Sequence, residues 1–300
     1  MEKKIEHVVA GEPGASLYHY SLNPREFVCG WGASCVNVVL TFPINKVQFR
    51  QQLHGITAGA ATRQLRKEGL VALYRGLLPP FLQKSANLAI MFGMYDNFTR
   101  VFAHALPRAP VDGISAAAAM LSGATESALT PFERVQTVLQ DRASAKKFPN
   151  SVSVFRALHE FGIGEYYRGL TPIVVRNSLS NAMFFLSRKR LKALFPETES
   201  SVIDSLEDFA SGGILGATIS TLFYPLNVIK TRMQVQIGGE FPTMHAVFWQ
   251  LYRERNSSVL SLLRGADTNV VRCLISWGLI NATYELLEKW LYQEPHHHTR

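Results

Sequence analysis

Six stretches of this chain, at 24–53, 78–102, 112–141, 171–194, 205–236 and 267–291, are predominantly apolar. Each is long enough for a membrane-crossing helix, which needs about 20 residues. Runs such as VNVVLTFPI, LAIMFGMY and FASGGILGATISTLFYPL are apolar over more of their circumference than a surface helix would be. Small residues recur four apart at Gly30/Ser34, Gly123/Ser127 and Gly212/Gly216, a spacing that lets helices approach closely in lipid. Shorter amphipathic stretches, TAGAATRQLRKEG, SVSVFRALHEFG and TMHAVFWQLYRER, fall between the long ones and read as helices lying along a membrane surface. The predicted plan is helix, surface helix, helix, three times over.

The polar positions repeat as well. A proline-centred phrase appears as TFPINKVQFRQQ around Pro43, TPFERVQTVLQ around Pro131 and YPLNVIKTRMQ around Pro225. Polar residues stand two, five and nine positions after each proline: Asn45, Gln48 and Gln52; Glu133, Gln136 and Gln140; Asn227, Lys230 and Gln234. Steps of three and four put each set on one helix face. A second phrase follows each copy, EGLVALYRG ending at Gly76, FGIGEYYRG ending at Gly169, and an eroded SSVLSLLRG ending at Gly265. Two phrases in one order, three times at roughly hundred-residue intervals, mean internal triplication. The repeats are expected at 24–108, 109–200 and 201–292, between tails 1–23 and 293–300. No repeat looks able to close a core alone, so the expectation is one body with pseudo-threefold symmetry.

Composition narrows the functions. The chain is 47% hydrophobic and 18% charged, with a net charge of +8, which suits an anionic membrane or anionic solutes. It contains no RNP, zinc-finger or helix-turn-helix phrase, so nucleic acid is not an expected partner. Mean hydropathy is near zero, low for six lipid-embedded helices, because the segments carry Lys84, Glu126, Arg176, Asn177, Asn181 and Arg272. A soluble helical-repeat binding protein would expose these groups. A membrane protein would turn them to a water-filled cavity, where ionisable groups are tolerated. Carbonate extraction of membranes separates the two readings.

The N-terminal MEKKIEHVVAGEPGASLYHYSLNP lacks both the apolar core of a secretory signal and the Arg/Ser-rich character of a transit peptide. Cys29, Cys35 and Cys273 make no CxxC pair and read as reduced thiols, and His296, His297 and His298 read as a tail. There is no Walker loop, GxSxG or metal-spaced His/Cys cluster, so neither an enzyme nor a metal site is expected.

The three proline phrases and the YRG phrases resemble the mitochondrial carrier family, over nearly the whole chain from about Arg25 to Leu291. That resemblance implies an all-α membrane protein: six transmembrane helices plus three interfacial matrix helices in a pseudo-threefold barrel of the mitochondrial inner membrane, alternating between cytosol-open and matrix-open states. The phrases FRQQLHGI, QKSANLAIMFGMYD, ERVQTVLQD, GIGEYYRGL, QIGGEF and LISWGLINATYE look like the animal carriers that import NAD into mitochondria. The implied cargo is NAD or a related dinucleotide, with another anionic nucleotide or cofactor as the alternative, and a monomer is expected.

The resemblance also assigns residues. Its matrix gate pairs the acid of each odd helix with the base of the next, which here gives Glu133 with Lys230 as an ion pair, and Asn45 with Gln136 and Asn227 with Gln48 as amide pairs. Its cytosolic gate falls on YDNFT, RKRLK and YELLE, pairing Asp96 with Lys192, Lys189 with Glu288, and Glu285 with Thr99. Tyr74, Arg75 and Gly76, with Tyr167, Arg168 and Gly169, resemble the family's cardiolipin sites, where helix N-termini would hold a lipid phosphate.

The family's substrate contacts lie seven or eight positions after each RG glycine, at Lys84, at Arg176 with Asn177, and at Arg272; Gln83 is the strict equivalent of the two arginines. Arginine grips phosphate oxygens bidentately, whereas lysine supplies a movable point charge. Glu126, seven residues before Glu133 on the same face, is a carboxylate that would suit the positive nicotinamide ring. The alternative explanation is a salt bridge to Arg176 or Arg272. Asn37, Asn181, Ser220 and Asn281 are further groups for ribose or carboxamide, with helix packing as their other explanation.

Overall fold

The computed structural model describes residues 24–69, 73–192, 201–255 and 257–292, and these are helical with no strand among them. The first repeat forms α1 (Pro24–His54), α2 (Ala58–Glu68) and α3 (Leu78–Ala105). The second forms α4 (Val111–Glu126), α5 (Thr130–Gln140), α6 (Arg142–Lys147), α7 (Ser151–Glu160) and α8 (Leu170–Lys192). The third forms α9 (Ser201–Leu222), α10 (Tyr224–Val235), α11 (Met244–Glu254) and α12 (Ala266–Tyr292).

The prolines act differently in each repeat. Pro43 sits inside the unbroken α1. Pro131 follows a 3₁₀ turn at Ser127–Leu129, and Pro225 opens α10 after a bend of 57° from α9. Proline cannot donate its backbone N–H and crowds the preceding turn, so the helix restarts there in a new direction.

The short helices begin where side-chain oxygens meet their free N–H groups. Thr57 accepts from Ala60 N, Asn150 from Ser153 N within a reciprocal capping box, and Thr243 from Ala246 N. The short α6 was not foreseen; Asp141 caps it by accepting from Ser144 N at 2.9 Å. Apolar clusters pin these helices to the bent arms: Val135, Val138 and Leu139 against Val154 and Leu158, and Tyr224, Val228, Ile229 and Met233 against Val247, Leu251 and Leu262.

The long helices close a ring. α1 packs on α3, α3 on α4, α4 on α8, α8 on α9, α9 on α12, and α12 back on α1. Small residues set the tightest seams. A Cβ on Gly123 would lie 2.5 Å from Asn177 O across α4–α8, and one on Gly32 would lie 2.7 Å from Leu287 Cδ1 across α1–α12. Gly212 and Gly216 lie against Trp277, whereas Gly30 meets nothing within 4 Å, so Gly32 rather than Gly30 makes the first close approach.

The three RG glycines have φ of 87°, 80° and 97°, the left-handed region that glycine enters without strain. Each nests on the odd helix of the next repeat around the ring: Gly76 on Leu139, Gly169 on Gln234, Gly265 on Gln51.

Polarity is inverted relative to a water-soluble fold. Val28, Trp31, Val36 and Leu40 on α1, and Val271, Leu274, Ile275, Leu286 and Trp290 on α12, are exposed. Asn37, Thr41, Gln48, Glu126, Arg134 and Asn269 are buried. Apolar faces outward and polar groups inward are what a bilayer selects and water does not. By length and composition alone, Val28–His54 is the one described helix apolar enough to cross a membrane, and the bent pair α9–α10 makes a second if it is one span.

Candidate functional site

The ring encloses a cavity of about 490 Å³. The threefold register of the sequence reappears on its wall. Equivalent positions of the repeats line it: Gln83, Arg176 and Arg272; Val38, Glu126 and Ser220; and Asn45, Glu133 and Asn227. Among the bent arms, α10 packs on both α1 and α5. There Thr137 Oγ1 donates to Gln234 Oε1 and Thr231 Oγ1 donates to Gln52 Oε1, each at 3.0 Å.

Lys230 Nζ lies 3.5 Å from Glu133 Oε1, and Arg176 Nη2 lies 3.6 Å from the same oxygen. The amide pair expected between Asn227 and Gln48 is absent from this structure. Asn227 Oδ1 instead accepts from Arg176 Nη1 at 2.7 Å, and Gln48 Oε1 accepts from Arg272 Nε at 3.0 Å. A guanidinium bond to an amide oxygen is charge-assisted and stronger than a neutral amide–amide bond, so the arginines win the competition. Asn45 and Gln136 both line the cavity, but among the described residues no hydrogen bond joins them. The positions expected to contact substrate and those expected to form the gate are therefore hydrogen-bonded to each other.

Asn177 Oδ1 accepts from both Nε and Nη2 of Arg176, at 3.1 and 2.7 Å, and so orients that guanidinium. Glu126 is 8% exposed and its Oε1 accepts from Asn181 Nδ2 at 2.8 Å. Among the described residues no ion pair joins Glu126 to Arg176 or Arg272, whose guanidinium groups bond Asn227 and Asn177, and Gln48 and Asn269, respectively. Asn37 lines the cavity with Oδ1 buried and lacking a hydrogen-bond partner among the described residues, and Glu133 Oε2 is in the same condition. Buried polar atoms of this kind are costly unless a ligand or water meets them. Ser220 lines the wall and Asn281 does not. The side chains of Lys84, Lys189 and Lys192 lie outside the described residues.

At the other end Asp96, Thr99, Glu285 and Glu288 occupy α3 and α12; Thr99 is buried and donates to Tyr95 O at 2.8 Å.

The RG arginines turn inward. Arg75 donates to Phe148 O, Arg168 to the carbonyls of Gly238, Gly239 and Glu240, and Arg264 to Gly55 O, so each clasps the loop of the next repeat. Arg168 also pairs with Glu165 at 2.9 Å and lies 4.1 Å from the Phe241 ring centroid, while Arg134 binds Glu165 at 2.8 Å from the other side. Burial would push the Glu165 carboxyl up, but hydrogen bonds from Arg168, Gly238 N–H and Arg134 hold it below the usual carboxylate range. This inter-repeat network was not legible in the sequence, because Glu165 sits three residues before Arg168 and reads as an ordinary surface pair. Tyr74 and Tyr167 remain partly exposed beside Gly76 and Gly169.

A second cavity of about 480 Å³, almost wholly apolar, lies between α1, α2 and the start of α12, with Pro43, Leu65 and Leu73 in its wall and Arg66 beside them.

The family model described as mitochondrial carrier protein matches residues 21–106, 113–199 and 201–295. The chain is 49% identical over 265 residues to the human mitochondrial nicotinamide adenine dinucleotide transporter SLC25A51, covering 88% of this chain and 89% of that protein. It is 47% identical to the human mitochondrial nicotinamide adenine dinucleotide transporter SLC25A52, covering 89% and 90%. The Arabidopsis thaliana mitochondrial arginine transporter BAC2 is 28% identical over 90% and 92%. Three matched repeats, a helical ring closed on a polar cavity and these relatives have one meaning: the chain belongs to the mitochondrial carrier protein family.

Proposed function

We propose that this protein is a multi-pass carrier of the mitochondrial inner membrane that imports NAD into the matrix by alternating access. Six spans, α1, α3, α4–α5, α8, α9–α10 and α12, form the barrel, and α2, α7 and α11 lie on the matrix face. The observation that carries the reading is the pair Arg176 and Arg272, held on the wall of one cavity with Glu126. Two guanidinium groups suit the two phosphates of a dinucleotide, and the carboxylate suits its positively charged nicotinamide ring. The names of the most similar relatives support the same cargo.

In this state the matrix end is closed by Glu133 with Lys230 and by the arginine–amide bonds to Asn227 and Gln48. Phosphates arriving from the cytosol compete for Arg176 and Arg272 and so loosen that end. On the opposite end Asp96, Thr99, Lys189, Lys192, Glu285 and Glu288 form the closing set. Anionic lipid, cardiolipin by the family's habit, sits against the helix starts near Gly76 and Gly169, where backbone N–H groups rather than the inward-turned arginines hold its phosphate. The apolar pocket beside Arg66 has the chemistry of an acyl-chain site at the third boundary. The protein functions as a monomer, with the translocation path inside one chain.

Mitochondria isolated from cells lacking and expressing this carrier test the cargo. Matrix NAD should rise with expression and fail to rise with an Arg272→Ala variant of equal abundance. Unchanged matrix NAD alongside altered uptake of another nucleotide would redirect the reading to that nucleotide.

A further inference from the structure

Four positions after each RG glycine stands a residue that faces the cavity: Pro80 in the first repeat, Ile173 in the second, Asn269 in the third. The first two are apolar. Asn269 breaks that symmetry, and it is 1% exposed. A buried amide among apolar equivalents persists only where its bonds are used.

All of those bonds go to side chains that line the cavity. Asn269 Oδ1 accepts from Gln48 Nε2 at 3.0 Å and from Arg272 Nη2 at 2.9 Å, and its Nδ2 donates to Ser220 Oγ at 2.8 Å. Arg272 Nε donates to Gln48 Oε1, which closes a triangle of three side chains from α1 and α12. The orientations are forced, because a guanidinium accepts nothing. Both amide oxygens must face Arg272, and that leaves Gln48 Nε2 for Asn269. Arg272 Nη2 also reaches Cys273 Sγ at 3.3 Å, and among the described residues Nη1 has no protein acceptor.

We infer that Asn269 is a positioning residue for transport: it aims Arg272 at the cargo and ties it to Gln48 on the matrix gate. This rests on the reading that Arg272 receives an anionic group of the cargo. The bonds to Nε and Nη2 hold the guanidinium plane and leave Nη1 for a phosphate oxygen. When the anion pulls Arg272 away, Gln48 Oε1 loses the guanidinium that donates to it, and the α1–α12 seam loosens at the level of the gate. Asn269 sets how much pull is required. Its amide oxygen is an acceptor strong enough to orient a guanidinium yet neutral, so it does not compete with phosphate as a carboxylate would.

The test is ligand response of the purified full chain, with NAD and inorganic pyrophosphate as separate probes. Asn269→Asp keeps both acceptor bonds but adds a charge beside Arg272. Its ligand-free melting temperature should match or exceed that of the wild type. Half-saturation for stabilisation by either probe, and for NAD uptake into vesicles, should rise about tenfold, as for a weakened charged contact. An asparagine that merely packs helices predicts no such change in a folded Asp variant. If Asn269→Asp does not accumulate, Asn269→Ser carries the same expectation, because its hydroxyl is too short to hold both partners. Unchanged half-saturation in the folded variant, or a wild type stabilised by neither probe, overturns the inference. A wild type stabilised by pyrophosphate but not by NAD sinks the NAD reading while the pyrophosphate arm still decides on Asn269.

Discussion

Arg176 and Arg272 each donate to an amide, of Asn227 and Gln48 respectively, while lining the cavity, and in the proposed mechanism the same groups meet the cargo. Losing one charged contact is worth roughly 1.5–3 kcal/mol, or about ten- to hundred-fold in affinity. Arg176→Ala and Arg272→Ala should each raise the half-saturating concentration for uptake by that factor at equal membrane abundance; wild-type kinetics in either variant would remove that arginine from the site. Glu126→Gln keeps a hydrogen-bond acceptor for Asn181 but deletes the charge. The expected outcome is a lowered preference for oxidised over reduced cofactor, measured by competing the two in one uptake assay; an unchanged ratio means the carboxylate does not read the ring. The family resemblance singled out the two arginines by their spacing after an RG glycine, and Glu126 stood out by its spacing from Glu133; both are local properties of the sequence. Asn269 was not legible, because an asparagine in an apolar helix becomes informative only when Gln48, some two hundred positions away, is brought beside it.

Helices were legible wherever a pattern ran for several turns: the three short amphipathic helices appear where expected, and the six apolar segments are helical, the third and fifth each broken into two near a proline. Helix α6 was missed because six residues give no period, and Asp141 as a cap was its one signal. The clasps between repeats were missed for a different reason: their acceptors are backbone carbonyls, which carry no sequence identity. The Arg134–Glu165–Arg168 cluster is buried, and removing one member strands the others. Arg168→Ala should therefore cost about 3–5 kcal/mol, read as a large drop in melting temperature in detergent. Arg75→Ala loses a bond to one carbonyl and should cost about 1–3 kcal/mol. The Glu165 carboxyl, held below its ordinary value, contributes stability that is fully present above about pH 4.5 and is lost as pH falls through its depressed folded value. Melting curves across that acid range should show the wild type falling more steeply than Glu165→Gln; parallel curves would mean the carboxylate is not what holds the junction.

On the scale of the whole molecule, the bent arms are held together by two cations on Glu133, two arginine–amide bonds and the threonine–glutamine contacts between the arms. Each is modest, and a bias of about 1.4 kcal/mol already shifts a two-state equilibrium tenfold. Asn45→Asp with Gln136→Lys would place an ion pair where no bond now joins these side chains, and should move the empty protein toward the cytosol-open state. Cysteine accessibility from each face reports the shift; none would mean the arginines already set the balance. All of this presumes that the cavity is a path for NAD. The direct measurement is uptake of labelled NAD by the purified protein in cardiolipin-containing vesicles, beside a variant carrying both Arg176→Ala and Arg272→Ala. Saturable accumulation by the wild type, abolished in the double variant at equal incorporation, is the predicted result. Accumulation no greater than in protein-free vesicles, or undiminished in the double variant, would contradict it.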